Sequence, residues 1–152
     1  MLCCLVALAV GAPARADDQR ALQAGPQPEL STLPMLHDEG VRLIVDLRTP
    51  SEGIAEEAVA AAEAGIRYVN LPVGREAADP RVVARLEALV EETDGDVLLH
   101  CHSGNRAGEV LARYLLTTGM PRDAALDAGR AAGLQAEREV FVDGPADAPL
   151  AP

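Results

Sequence analysis

Apolar residues along this chain fall into short compact runs separated by stretches of helical periodicity. Residues 41–47, with Leu43-Ile44-Val45 at the centre and Thr49-Pro50 beyond, predict a buried strand. Residues 68–71, stopped by Pro72, predict a second strand. Residues 97–100, after the Asp94-Gly95 turn, predict a third. A short edge strand is expected near residues 21–23. Ser31 is placed to cap a short helix that ends at Gly40. Residues 52–64 are rich in Ala and Glu and stop at Gly65, which reads as a helix with a solvated acidic face. Asp79-Pro80 opens another helix, whose Val82, Val83, Leu86, Leu89 and Val90 share one face. Residues 107–118 and 124–132 predict two more, each ended by a glycine. Strands alternating with helices predict an α/β fold: a mainly parallel central sheet between two helical layers. In such a sheet, ligands bind at the carboxyl ends of the strands.

Composition sharpens this picture. The chain of 152 residues suffices for one domain, and its core must be aliphatic, since it holds no Trp, one Phe and two Tyr. A formal net charge of −11 excludes binding to nucleic acid or anionic lipid through bulk charge. A site for an anion must therefore be a local exception. The apolar run at residues 2–10 is too short to span a bilayer and leads to Ala14-Arg15-Ala16 before Asp17-Asp18. This is the layout of a signal peptide cleaved after Ala16, although no basic residue precedes the run. The expected organisation is a signal peptide over 1–16, one catalytic domain over 17–142 and a disordered tail over 143–152. The product is expected to be periplasmic or secreted, without a stable membrane anchor. Its one remaining cysteine, Cys101, is either a reactive thiol or an inert buried one.

The residues around Cys101 favour reactivity. In Val97-Leu98-Leu99-His100-Cys101-His102-Ser103-Gly104-Asn105-Arg106-Ala107-Gly108, a strand delivers the cysteine at its carboxyl end and an arginine opens the next helix. The reactive species is the thiolate, so the surroundings must favour negative charge on sulfur. The N–H groups of the tight loop His102, Ser103, Gly104, Asn105 can converge into an anion nest, with the positive end of the helix behind them. Arg106 offers a planar fork for two oxygens of phosphate or sulfate. His100 is placed to orient the loop. His100, Cys101 and His102 are adjacent and do not converge as metal ligands, so no metal or cofactor is expected.

His-Cys-His-Ser-Gly-Asn-Arg-Ala-Gly resembles the signature loop of the protein tyrosine and dual-specificity phosphatases. The stretches from Val41 to Arg48, Gly65 to Val73 and Ala125 to Leu134 resemble more narrowly the bacterial beta-lactamase hydrolase-like, phosphatase-like domain family. The resemblance implies the superfamily's three-layer fold and a hydrolase whose Cys101 attacks phosphorus to form a phosphocysteine, on a small anionic or phosphorylated substrate. Four residues separate Cys101 from Arg106 where these phosphatases usually have five, and Ala107 stands where they commonly have Ser or Thr. That loop length is closer to rhodanese sulfurtransferases, so a Cys101 persulfide fed by a sulfane-sulfur donor is the alternative. A non-catalytic anion-binding or redox-sensing module is the third reading. The superfamily's general acid lies in the loop before the nucleophile strand, where this chain offers Glu76 and Asp79; Asp79 is equally suited to helix capping. Arg48, past the end of the first buried strand, is a candidate second anion contact, with Asp46 as a residue that fixes Arg48 or Arg106.

Overall fold

The computed structural model describes residues 21–143, so the leader expected at 1–16 and residues 144–152 of the expected tail lie outside the described residues. One four-stranded sheet forms the centre, with strands β1 (Leu22–Gly25), β2 (Val41–Asp46), β3 (Arg67–Asn70) and β4 (Asp96–His100) in the order β1-β4-β2-β3. Every pairing is parallel. The helices are α1 (Leu33–Asp38), α2 (Ala55–Glu63), α3 (Pro80–Glu92), α4 (Asn105–Thr117), α5 (Arg122–Ala131) and α6 (Ala136–Glu139). Each strand is returned to the sheet by a helical crossover, so all four strands end on the same edge, where Cys101 sits.

The central strands β2 and β4 bury both faces. Leu43, Val45, Val97 and Leu99 pack with Leu86 and Leu89 of α3 and Val110 of α4. Val41, Ile44 and Leu98 face the other way, towards Leu33, Ala61 and Ile66. Val41 and Ile44 share a face despite their spacing because the register with β4 slips at Arg42, whose neighbours Val41 and Leu43 pair with the successive residues Asp96 and Val97. The extra residue inverts the alternation of side chains at that point.

Three expectations differ in detail. Ser31 caps no helix: it lies inside a 3-10 turn, Leu30–Thr32, and α1 starts after Thr32 with no side-chain cap bond. Residues 52–64 are not one helix: Pro50–Glu52 is a separate 3-10 turn, and Gly53 breaks the path with a φ of 80° before α2 begins. Nor is the acidic face of α2 wholly solvated, because Glu57 points inward and is buried with Ala61. The chain also adds α6, which carries too few apolar residues to show a period.

Candidate active site

Strand β4 ends at His100, and Cys101 begins the connection to α4. The Gly104 N–H donates to the Cys101 Sγ at 3.2 Å, so the turn folds back over its own sulfur. Gly104 adopts a φ of +90° as the N-cap of α4, and a side chain there would run into the Ala132 carbonyl. Only glycine meets both demands. Cys101 is buried at the base of the loop, whereas His102 and Ser103 are exposed. The first turn of α4 leaves N–H groups without helical partners, and its dipole favours negative charge beside the sulfur. Asn105 is anchored to the α6 side of the loop, with its Oδ1 accepting from the Gln135 N–H at 2.9 Å.

Arg106 is held by fixed partners. Its Nη1 donates to the Val73 carbonyl at 2.9 Å and to Glu52 Oε2 at 2.8 Å, and its Nη2 donates to Glu52 Oε1 at 2.7 Å. The Val73 N–H in turn donates to the Leu47 carbonyl just past β2, which ties the guanidinium to the sheet edge. The hydrogen bond to Glu52 outweighs the cost of burial and raises Arg106 above the ordinary arginine value. Glu52, held mainly by Arg106, is lowered to about 2. It stays ionised near neutral pH, so it positions the arginine and donates no proton. Sequence reasoning passed over Glu52, yet Thr49-Pro50-Ser51-Glu52 is a legible capping box, and the structure forms it.

Arg48 stands elsewhere than the anion site. It is buried, with Nη2 at 2.6 Å from Asp46 Oδ2 and 2.5 Å from Glu57 Oε2. Asp46 therefore fixes Arg48 and not Arg106, and it also accepts from the Tyr68 hydroxyl at 2.6 Å. Burial alone would raise Asp46; the bonds from Arg48 and Tyr68 outweigh it and leave that carboxyl below the ordinary aspartate value. His100 closes this cluster. Its Nε2 lies 2.8 Å from Glu57 Oε1, and its Nδ1 lies 3.3 Å from the Cys101 carbonyl oxygen. His100 thus braces the base of the loop through the backbone. Asp46, Glu57 and His100 converge like metal ligands, but the guanidinium of Arg48 already bridges both carboxylates.

The loop that carries the two acid candidates is pinned from below. Arg138 donates to the carbonyls of Gly74, Arg75 and Glu76, while Glu109 accepts from the Ala78 N–H at 2.8 Å and from Arg138 at 2.6 Å. Asp79 caps α3, accepting from the Arg81 N–H at 2.9 Å, and is paired with the Arg81 side chain. That pairing lowers it to about 2. Asp79 is thus engaged at the helix start, and neither it nor Glu76, exposed on the same loop, lines the cleft beside Arg106. Asp79→Asn keeps the cap and removes the charge, so kcat/KM on an aryl phosphate is expected to stay within about twofold, whereas Asp79→Ala removes the cap and should lower the urea unfolding midpoint. A large loss of turnover in Asp79→Asn would restore it as the acid.

A cleft of about 510 Å³ opens over the loop, lined by Thr49, Ser51, Glu52, Arg75, Ser103 and Arg106 among others.

No protein of curated function matches the sequence. A candidate phosphatase of domain family DUF442 from Shewanella putrefaciens CN-32 is 26% identical, with a TM-score of 0.59 over 72% of this chain and 77% of that one. A candidate phosphatase from Neisseria meningitidis Z2491 is 21% identical, with a TM-score of 0.67 over 78% and 88%. The core catalytic domain of the PP-IP phosphatase SIW14 from S. cerevisiae is 16% identical, with a TM-score of 0.65 over 80% and 78%. The family model described as DSP-PTPase phosphatase fused to NAD+ kinase matches residues 9–141. The chain belongs to that family, within the protein tyrosine phosphatase-like superfamily.

Proposed function

We propose that this phosphatase works through a Cys101 thiolate in a four-residue anion-binding loop. The observation that carries this reading is the Gly104 N–H aimed at the Cys101 sulfur, at the positive end of α4 and beneath the tethered Arg106. In the proposed sequence the thiolate attacks phosphorus, an S–P bond forms and the P–O bond to the leaving group breaks. The leaving oxygen takes a proton from water, since neither Glu76 nor Asp79 lines the cleft. Water then attacks the phosphocysteine, releasing inorganic phosphate and the thiolate. Loop N–H groups and Arg106 face the equatorial oxygens, where charge concentrates in the transition state.

The short loop supports a second reading, transfer of sulfane sulfur through a Cys101 persulfide. Purified protein assayed side by side with an aryl phosphate and with thiosulfate plus cyanide separates the two. Turnover of the aryl phosphate is expected; thiocyanate production alone would reverse the assignment. Arg106→Ala is expected to lower kcat/KM on the aryl phosphate by about 10²–10³-fold, the usual cost of one preorganised oxyanion donor. It should also abolish protection of Cys101 from iodoacetate by inorganic phosphate. Retained protection would refute the clamp role.

A further inference from the structure

The chain has no lysine, and among the described residues its arginines are almost all spoken for. Arg48 is clamped between Asp46 and Glu57, Arg106 is forked onto Glu52, and Arg138 and Arg113 share Glu109. The surface arginines follow the same rule: Arg81, Arg85, Arg122 and Arg130 each meet a carboxylate. Among the described residues Arg75 is the exception, with neither an ion pair nor a hydrogen bond from its side chain. Arg42 also meets no carboxylate, but its guanidinium donates to the His37 and Val41 carbonyls, so Arg75 alone among the described arginines has no partner for its side chain. Arg75 is exposed, and it lines the same cleft as Arg106 and Ser103.

Its backbone is fixed all the same. Arg138 Nη1 donates to the Arg75 carbonyl at 3.1 Å, and the carbonyls on either side are held by Arg138 Nη2. The one acid next to it in sequence, Glu76, is not among the residues that line the cleft. The loop thus holds a free guanidinium at the cleft by its main chain. A fixed backbone lowers the entropy lost when the side chain closes on a ligand.

We propose that Arg75 is a specificity residue that binds a second anionic group of the substrate, so that the preferred substrate is a bis-anionic phosphate compound whose first phosphoryl group sits at Cys101 and Arg106. This rests on the phosphatase reading above and narrows its substrate class. A guanidinium meeting a phosphate or carboxylate at a partly dehydrated cleft forms charge-assisted, bidentate bonds. Thr49 and Ser51, also at the cleft, are neutral and add no repulsion.

The test is protection of Cys101 from iodoacetate by inorganic phosphate, inorganic diphosphate, and butane and hexane diphosphonates, with aryl phosphate turnover measured on the same preparations. At least one bis-anion is expected to protect at about tenfold lower concentration than phosphate, the gain of one charged hydrogen-bonded contact. Arg75→Ala should bring that ratio close to unity, Arg75→Lys should keep part of it, and Arg75→Glu should favour phosphate. Unchanged thermal midpoints would exclude unfolding as the cause. A wild-type ratio near unity for every bis-anion, or a preference that survives Arg75→Ala, overturns the inference. Lack of aryl phosphate turnover with the preference intact would instead overturn the phosphatase reading and leave the second anion site standing.

Discussion

Cys101→Ser is expected to lower kcat/KM on an aryl phosphate by at least about 10⁴-fold while leaving inorganic phosphate bound. The reason lies in what the loop can ionise. A thiolate is within reach of backbone N–H groups and a helix dipole near neutral pH, whereas a serine hydroxyl is not. The substitution keeps the size of the side chain and an acceptor for the Gly104 N–H, which sits 3.2 Å from the sulfur in the native loop. The anion nest and the tethered Arg106 therefore survive. Steady-state kinetics together with calorimetric titration of phosphate check both halves. Residual turnover above about one per cent would mean that Cys101 is not the nucleophile.

The largest expected loss of stability comes from Arg48→Met, at about 3–5 kcal/mol, the usual cost of removing one partner from a buried ion pair. Methionine fills much of the space but leaves Asp46 and Glu57 facing each other, both buried, with no cation between them. The pH dependence carries a sign. In the native protein Asp46 is lowered, so its contribution is present above the ordinary aspartate range and fades as pH falls through its folded value. In Arg48→Met the guanidinium bonds are gone while those from the Tyr68 hydroxyl and the residue-48 N–H remain, so less of the burial cost of the Asp46 charge is offset. Native stability should thus rise between about pH 2 and pH 5 through this cluster, and that of the variant should rise less. Urea unfolding at both pH values measures this. A variant that gains as much stability as the native protein over that range would show that Arg48 is not the group that neutralises the pair.

What the sequence displays and what it hides follow from the range of the interactions. The strands, their order with the helices, and the nucleophile loop are local: compact apolar runs, an Asp-Pro helix start, and a Cys, Gly and Arg within one turn. Even the cap at Asp79 is legible, because Asp-Pro specifies it within two residues. Partners distant in the chain are not legible. Arg106 and Glu52 are 54 positions apart, and nothing near either residue announces the other. Arg48 looks like an active-site cation from its place after β2, but Glu57 on α2 turns it inward. Glu57 itself is hidden within an Ala- and Glu-rich helix, where its placement four residues before buried Ala61 is the one hint of its orientation. Glu109 and Arg138 are obscured in the same way: each reads as a surface charge until α6 packs on α4 and the loop at 74–78 hangs from both.

The account stands on a covalent bond between phosphorus and the sulfur of Cys101. Mixing enzyme with an aryl phosphate, quenching in acid within the first turnovers and mapping the peptide that contains Cys101 tests it directly. The account predicts a mass increment of one phosphoryl group on that cysteine, absent when Cys101→Ser is used. Aryl phosphate turnover with the label on another residue or on none, or a sulfur increment on Cys101 after thiosulfate with no phosphoryl form, would contradict it.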